Sequence, residues 1–477
     1  MIGGRSPDLG SPKLPMTPRQ GLRLLLVGLG TSVVPLDTAV NIAFPAITGS
    51  FGLPIQMIQW VVICYVLTYA SLMLAFGRVG DIFSHGRVFR IGLLWSSAAY
   101  LLCALAPSYG WLLFCRFLQG IGAALIVSCA PALVTGLFPE DKRSRAIGVF
   151  TVMYAIGSAA GPLLGGVLVQ LWGWQAVFWF RAPVAFTALL FLEGLPAVSR
   201  PGVREPVDIV GAGLLAVGIS TLLLMFNQLH HLERHALLAI GLLGAAAASL
   251  FGFVRWERRV AQPIVNLDLF RASGFAALNL ASLLIYLTSF SVLLFGPYYL
   301  VRVAGLSVPM AGAVLAASFI GSIVASPLAG LVIERVSAGR VAALGAFLGG
   351  AGLVLIGSWT PDASCRLIAI VGALVLQGFG VGLFQVAYMD IVMRTLPRGH
   401  RGVAGSIAML SRSLGVVTGA TVLTLVFHAL EDLWLKDAFL SAFSATFWLA
   451  GMISGLAGLL VVLARNVRES PRPTSAG

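Results

Sequence analysis

The feature that most constrains this chain is the recurrence of apolar runs about 20 residues long, the length a helix needs to cross the hydrocarbon core of a bilayer. They fall near 22–48, 58–77, 88–106, 110–137, 146–171, 175–196, 208–229, 236–254, 273–301, 308–333, 340–359, 366–392, 402–428 and 439–464. Only 10% of the residues are charged and the mean hydropathy is +0.95, whereas a soluble domain carries roughly 25% charged residues. Too few polar groups remain to cover a water-facing surface. The expected fold class is therefore an all-α polytopic membrane protein with fourteen spans.

The net charge of +13 does not point to nucleic acid, because the basic residues form no stripe. They sit in short loops between apolar runs. Loops and tails on one side hold 24 of the 31 basic residues, among them Arg23, Arg78, Arg87, Arg90, Lys142, Arg255, Arg340 and Arg465. The other side holds Arg234, Arg302, Arg366 and Lys436, and Arg116, Arg181 and Arg412 fall inside spans. The positive-inside rule places both termini in the cytoplasm, which an even number of spans requires. Of the five cysteines, Cys64, Cys103, Cys115 and Cys129 lie in apolar runs and read as small packing residues; no CxxC occurs. The stretch after Arg23 lacks a small-residue cleavage site, so it reads as a first span rather than a removable signal.

An internal repeat divides the chain. Gly77, Asp81, Gly86 and Arg87 recur 253 positions later as Gly330, Glu334, Gly339 and Arg340, and Gln119-Gly-Ile-Gly122 is echoed by Gln377-Gly-Phe-Gly380. Parallel repeats put a substrate site at the interface of two halves that rock against each other. The expected organisation is a disordered tail at 1–20, an N-terminal six-helix bundle at 21–200, two inserted linker transmembrane helices at 201–260, a C-terminal six-helix bundle at 261–465 and a second tail at 466–477.

Four segments carry chemistry. In Gly77–Arg87, Asp81 is placed to cap or pair at a helix end while the arginines hold the loop at the cytoplasmic face. In Leu112-x-x-x-Arg116-x-x-Gln119-Gly120-x-Gly122, Arg116 lies about 9 Å inside its span at 1.5 Å per residue, where a charge needs a partner or a wet cavity. Gly157, Gly161 and Gly165 stack on one face of the fifth span, with Pro162 removing a backbone donor beside them. In Asp37-Thr-Ala-Val-Asn41, Asp37 is the only carboxylate deep inside any span; Asp390 and Glu193 lie near helix ends.

Taken together these segments resemble the major facilitator superfamily, in its fourteen-span drug:proton antiporter branch, over about 22–465. Asp208-x-x-Gly211 and Pro263–Phe270 match it as well. The resemblance implies two six-helix bundles plus two inserted helices, with export of drugs or other small amphiphiles in exchange for protons. It implies that Gly77, Asp81, Arg87, Gly157, Gly161, Pro162 and Gly165 serve conformational gating, and that Arg116 takes part in proton transfer. Three departures stand out. Ser84 occupies the usual turn glycine and Gly86 a usual arginine. Asp37 precedes Asn41 by four residues instead of five, which on a regular helix turns it by about 100°. Relatives read Trp-Arg-x-x-Phe-x-x-Asn-x-Pro where this chain reads Trp174-Gln175-Ala-Val-Phe178-Trp-Phe-Arg181-Ala-Pro183.

The mechanism expected from these residues uses Asp37 as the proton-binding group. Burial disfavours its charged form and a neighbouring guanidinium favours it, so Arg116 and Arg181 would tune it. Asn41, Gln119, Arg181 and Arg412 are expected to line the substrate cavity. Arg412, roughly 15 Å into its span, would help make that cavity positive, favouring neutral or acidic compounds over dications. A carrier for one metabolite or lipid-like compound is the alternative, although the Gly157–Gly166 pattern argues against an importer. An enzyme is not expected: there is no HExxH, no GxSxG and no Walker sequence, so no ATP, cofactor or metal is implied. His230, His231, Glu233 and His235 read as a solvated loop. The implied partners are a small-molecule substrate, protons and the bilayer, for a monomer that such resemblances also pair with a periplasmic adaptor and an outer-membrane channel.

Overall fold

The computed structural model describes residues 18–136, 140–192, 208–228, 232–260, 274–333, 335–359, 367–395, 401–433 and 438–464, with only the backbone at some positions, Arg78, Asp81 and 140–152 among them. The helices are α1 Pro18–Ser32, α2 Ala39–Ile42, α3 Phe44–Phe51, α4 Gln59–Phe83, α5 His85–Ala104, α6 Tyr109–Gly136, α7 Glu140–Trp172, α8 Ala176–Trp179, α9 Arg181–Phe191, α10 Ile209–Gln228, α11 Leu232–Glu257, α12 Phe275–Tyr298, α13 Val308–Ile333, α14 Ala338–Gly357, α15 Leu367–Thr395, α16 Arg401–Leu433 and α17 Ala438–Leu463. No strand occurs among the described residues. α1 begins at Pro18, inside the stretch expected to be disordered. His230, His231, Glu193, Glu334, Pro263–Phe270 and the C-terminal tail lie outside the described residues.

Eleven of these segments are long and apolar enough to cross a membrane. Two shorter apolar helices, Ala176–Phe191 and Gly213–Leu222, accompany them. α5 is 20 residues long but opens with His85, Arg87 and Arg90, which lower its hydropathy. Two expected spans are not continuous helices. The first breaks after Ser32 into a turn, a 3-10 turn at Pro35–Thr38, then α2 and α3. Pro35 and Pro45 each lack the N–H that a continuing helix needs, so both begin new pieces. The sixth is interrupted between α8 and α9 at Phe180.

The packing repeats along the chain. In the first half α4 packs on α6, α5 on α6 and α9, and α7 on the segment from α1 to α2. In the second half α13 packs on α15, α14 on α15 and α17, and α16 on α12. The contacts between halves obey the same correspondence: α7 against α13, and α16 against α4. α10 and α11 pair with each other, and α10 touches α4 and α16 from outside.

The buried apolar residues form three clusters, and their arrangement positions everything that follows. One has a buried set drawn from the first half, including Leu24, Val27, Val88, Phe89 and Leu133, with Met409 of α16 packed against it. Another contains only second-half residues, including Phe275, Val341, Ala346, Tyr388 and Val461. Both lie at the helix ends that carry Arg23, Arg87, Arg90 and Arg340, the arginine-rich end. The third joins both halves at the opposite end, with Ile47, Ile58 and Trp174 beside Phe295, Tyr298, Phe427 and Phe443. The two halves thus share one core at one end and keep separate cores at the other.

Candidate functional site

Asp37 sits on the 3-10 turn of the broken first segment, between Val34 of the first-half core and Ala39 of the shared core. It therefore lies at the level where the halves part. The Thr38 hydroxyl donates to the Ser158 carbonyl of α7 at 2.9 Å and to the Pro35 carbonyl at 3.0 Å, fixing the turn to α7. The 100° displacement expected for Asp37 presupposes a regular helix. The break removes that premise, and the carboxylate faces α6 and α9.

Two guanidinium groups meet it there. Arg116 grips it bidentately, Nη1 to Oδ1 at 2.7 Å and Nη2 to Oδ2 at 2.8 Å, while its Nε donates to the Val61 carbonyl at 2.8 Å. Arg181 donates from Nη1 to Oδ1 at 2.7 Å and from Nε to the Val177 carbonyl at 2.9 Å. Gln119 donates to Oδ1 at 2.9 Å and accepts from Arg116 Nη1 at 2.8 Å. Tyr65 lies 4.3 Å beneath Arg116 and Tyr100 4.5 Å beneath Arg181, with Phe178 near both. Arg116 and Arg181 are 1% and 0% exposed, and Asp37 is 14% exposed. Of the three charged groups, the carboxylate keeps the most contact with accessible space.

Arg181 does not snorkel outward. It begins α9 just after the Phe180 interruption and turns back onto its own preceding turn, which carries its head to Asp37. Two cations facing one anion leave a surplus of one buried positive charge. Arg181 Nη2 is buried with no hydrogen-bond partner among the described residues, a costly condition for a charged donor.

The other expected cavity residues are not part of this cluster. Asn41 is 8% exposed on α2, and its amide makes no hydrogen bond with any described residue. Arg412, on α16, is half-buried and lies over the Tyr286 ring at 5.2 Å, with Tyr69 and Tyr154 of the first half close enough to interact with its charge.

The glycine motif of α7 divides between two seams. A Cβ on Gly161 would overlap Thr38 Oγ1, one on Gly157 would lie 3.1 Å from the Ser32 carbonyl, and one on Gly165 would lie 2.9 Å from the Ala39 carbonyl. All three face the broken first segment of their own half, not the opposite half as a moving contact would require. The seam with α13 uses Pro162 and Gly166 instead. A Cβ on Gly166 would lie 2.7 Å from the Val308 carbonyl, and one on Gly312 would overlap the Pro162 carbonyl.

In the Gly77–Arg87 segment, Gly77 has ordinary room for a Cβ, whereas Gly80 does not: His85 and Cys129 atoms lie within 2.9 Å of that position. Ser84 forms the whole α4–α5 connection with φ 84°, a left-handed value glycine adopts freely. Arg87 is exposed on the first turn of α5, and the side chain of Asp81 lies outside the described ones.

Sequence reasoning missed the aromatic floor under the arginines and the clasp at the shared-core end. In that clasp Gln56 bonds His428 Nδ1 at 2.8 Å and Glu431 at 3.2 Å, and Tyr298 reaches Thr48 at 3.3 Å. These partners are more than 240 positions apart, so no local spacing signals them. Among the described residues no group of His, Cys, Asp or Glu could hold a metal.

The Major Facilitator Superfamily model matches residues 25–266 and 278–477. The chain belongs to the major facilitator superfamily. Its match to that family over nearly its whole length, and its likeness to transporters, identify it as a multi-pass membrane transporter and not an enzyme. It is 30% identical to the tetracenomycin C resistance and export protein of Streptomyces glaucescens over 415 residues, 85% of this chain and 77% of that one. It is 26% identical to the riboflavin transporter RibZ of Clostridioides difficile, covering 92% of this chain and 96% of that one. Its fold superposes with TM-score 0.71 on a peptide transporter solved in complex with sulfate, at 17% identity and 96% coverage of each chain.

Proposed function

We propose that this transporter is a proton-coupled antiporter that exports small amphiphilic molecules across the cytoplasmic membrane. It works as a monomer of two six-helix bundles and two inserted helices. Counting α5, the α8–α9 pair and α10 as spans gives fourteen, with both termini cytoplasmic. The arginine-rich end then faces the cytoplasm, and the largely separate cores at that end support an inward-facing reading.

The observation that carries the proposal is the position of Asp37. It is gripped by Arg116 and Arg181 at the level where the shared core ends. With two cations against it the carboxylate holds no proton in this state. When the halves part at the other end, loosening of either arginine lets Asp37 take a proton from outside. Return to the present state restores both contacts and expels the proton inward, and substrate then loads. The similarity to a named exporter supports this direction of transport. The similarity to a riboflavin transporter supports a second reading, a carrier for one metabolite.

The test is efflux from cells or everted vesicles against a panel of compounds, with and without an uncoupler. Uphill export that survives collapse of the proton gradient overturns proton coupling. Movement of one compound alone selects the single-metabolite reading.

A further inference from the structure

Asp37 balances only part of the positive charge inside the spans, and Arg412 is left to itself. Its guanidinium makes no ion pair and no hydrogen bond among the described residues, and Arg412 is half-buried. A guanidinium offers five donors, so a cation in this position either meets water or meets a ligand.

The surroundings favour a ligand of particular chemistry. On α12, Ile285 belongs to the second-half core and Leu287 to the shared core, so Tyr286 stands where the two separate. On α16, Ala408 belongs to the second-half core and Val417 to the shared core, with Arg412 between them. Arg412 thus lies near the level of Asp37, facing the space between halves. Tyr286 is beneath its plane at 5.2 Å, and Tyr69 of α4 and Tyr154 of α7, both of the opposite half, lie within range of its charge. Helices of both halves, α4 and α7 from one and α12 and α16 from the other, thus carry groups within range of this one charge. Phenol hydroxyls donate to an anion, phenol rings stack on an aromatic body, and a free guanidinium supplies the charge.

We propose that Arg412, Tyr69, Tyr154 and Tyr286 form a substrate subsite that binds the anionic group, a carboxylate or phenolate, of an aromatic amphiphile. This rests on the transporter reading above and names its substrate class. An anion held there touches both halves at once, so its binding bears directly on their relative position.

The test measures binding without any gradient, so it does not depend on proton coupling. Thermal unfolding of the purified full-length protein in nanodiscs is followed with two dyes of one scaffold, the anionic fluorescein and the cationic rhodamine 123. A ligand that binds the folded state raises Tm. Fluorescein is expected to raise Tm in a saturable way and rhodamine 123 to bind at least tenfold more weakly. Arg412→Gln should lose the fluorescein response, and Arg412→Lys should keep part of it. Tyr154→Phe, which removes one hydroxyl and little packing, should weaken fluorescein several-fold and serves if Arg412→Gln does not fold. Absence of a fluorescein response in the wild type overturns the proposal. So does an equal response to both dyes, or a response that survives Arg412→Gln. If Arg412 served packing alone, its loss would lower Tm without altering the preference between dyes. Loss of gradient-driven export with fluorescein binding intact would fault the coupling mechanism and leave this subsite standing.

Discussion

Arg116 Nη1 and Arg181 Nη1 both lie 2.7 Å from the same oxygen of Asp37, Oδ1, which also accepts from Gln119 at 2.9 Å. Oδ2 accepts only from Arg116 among the described residues. A carboxylate oxygen offers about two lone-pair sites, so Oδ1 is fully engaged while Oδ2 retains room. In the proposed cycle the proton therefore arrives on Oδ2, and it must displace or outlast one guanidinium rather than two.

Replacing Asp37 by Asn leaves two buried guanidinium groups facing each other without a counter-charge. Removing one partner of a buried ion pair costs about 3–5 kcal/mol, so Asp37→Asn should lower Tm markedly and abolish uphill efflux. Combining it with Arg181→Asn removes the extra cation and should recover part of the Tm but none of the coupling. A double variant no more stable than the single one would show that Arg181 is not the source of the repulsion.

Arg181→Asn alone introduces the side chain that the family pattern expected from the sequence has at this position. Asp37 then faces one cation instead of two, and protonation competes with a weaker electrostatic grip. Efflux should persist, with its pH profile moved toward higher pH. A profile unchanged or moved toward lower pH would indicate that Arg181 does not act on Asp37 during turnover.

The α4–α5 connection rests on a single serine at φ 84°. A residue with a side chain held at such a backbone angle costs of order 1–3 kcal/mol. Ser84→Gly should raise Tm by an amount corresponding to roughly 1 kcal/mol, without slowing transport. An unchanged or lowered Tm would mean that the serine side chain compensates for its conformation.

Gly161 and Gly312 separate two kinds of helix contact. Gly161→Leu forces α7 away from Thr38 within the first half, an overpacking defect of about 1–3 kcal/mol, and should lower Tm. Gly312→Leu drives α13 away from Pro162 across the halves and should bias the protein toward opening at the shared-core end. Thiol labelling of a Val308→Cys reporter in a cysteine-free background reads this bias. Gly312→Leu should raise the labelling rate and Gly161→Leu should not.

Much of the fold was legible in the sequence because membrane helices announce themselves by length and composition. The repeat of Gly77–Arg87 at Gly330–Arg340 pointed to two related halves, and the helix contacts recur along the chain in a corresponding order. What escaped was local irregularity. The break after Ser32 comes from Pro35 and Pro45 inside an unbroken apolar run, and hydropathy does not see it. The cluster of Asp37, Arg116, Gln119 and Arg181 could be suggested because each is a costly polar group in an apolar setting. The tyrosines around Arg412 could not, since a tyrosine inside a span is unremarkable until its ring is seen beside a cation.

The two halves differ in the continuity of their first segments. α14 and α15 are locked backbone to backbone, since a Cβ on Gly380 would overlap the Gly349 amide and one on Gly345 would lie 2.6 Å from the Gly380 carbonyl. α12 runs unbroken from Phe275 to Tyr298, while its counterpart in the first half is jointed at Val33–Ala43 and carries Asp37 on the joint. The unbroken α12 has no joint along its length, whereas the first segment can flex at the knuckle that holds its charge. The stroke of such a machine is uneven: a bulky cargo lodged against α12 must shift a whole bundle, whereas one lodged against the knuckle can be accommodated by bending a single strut, and tolerance for cargo size should differ between the two walls.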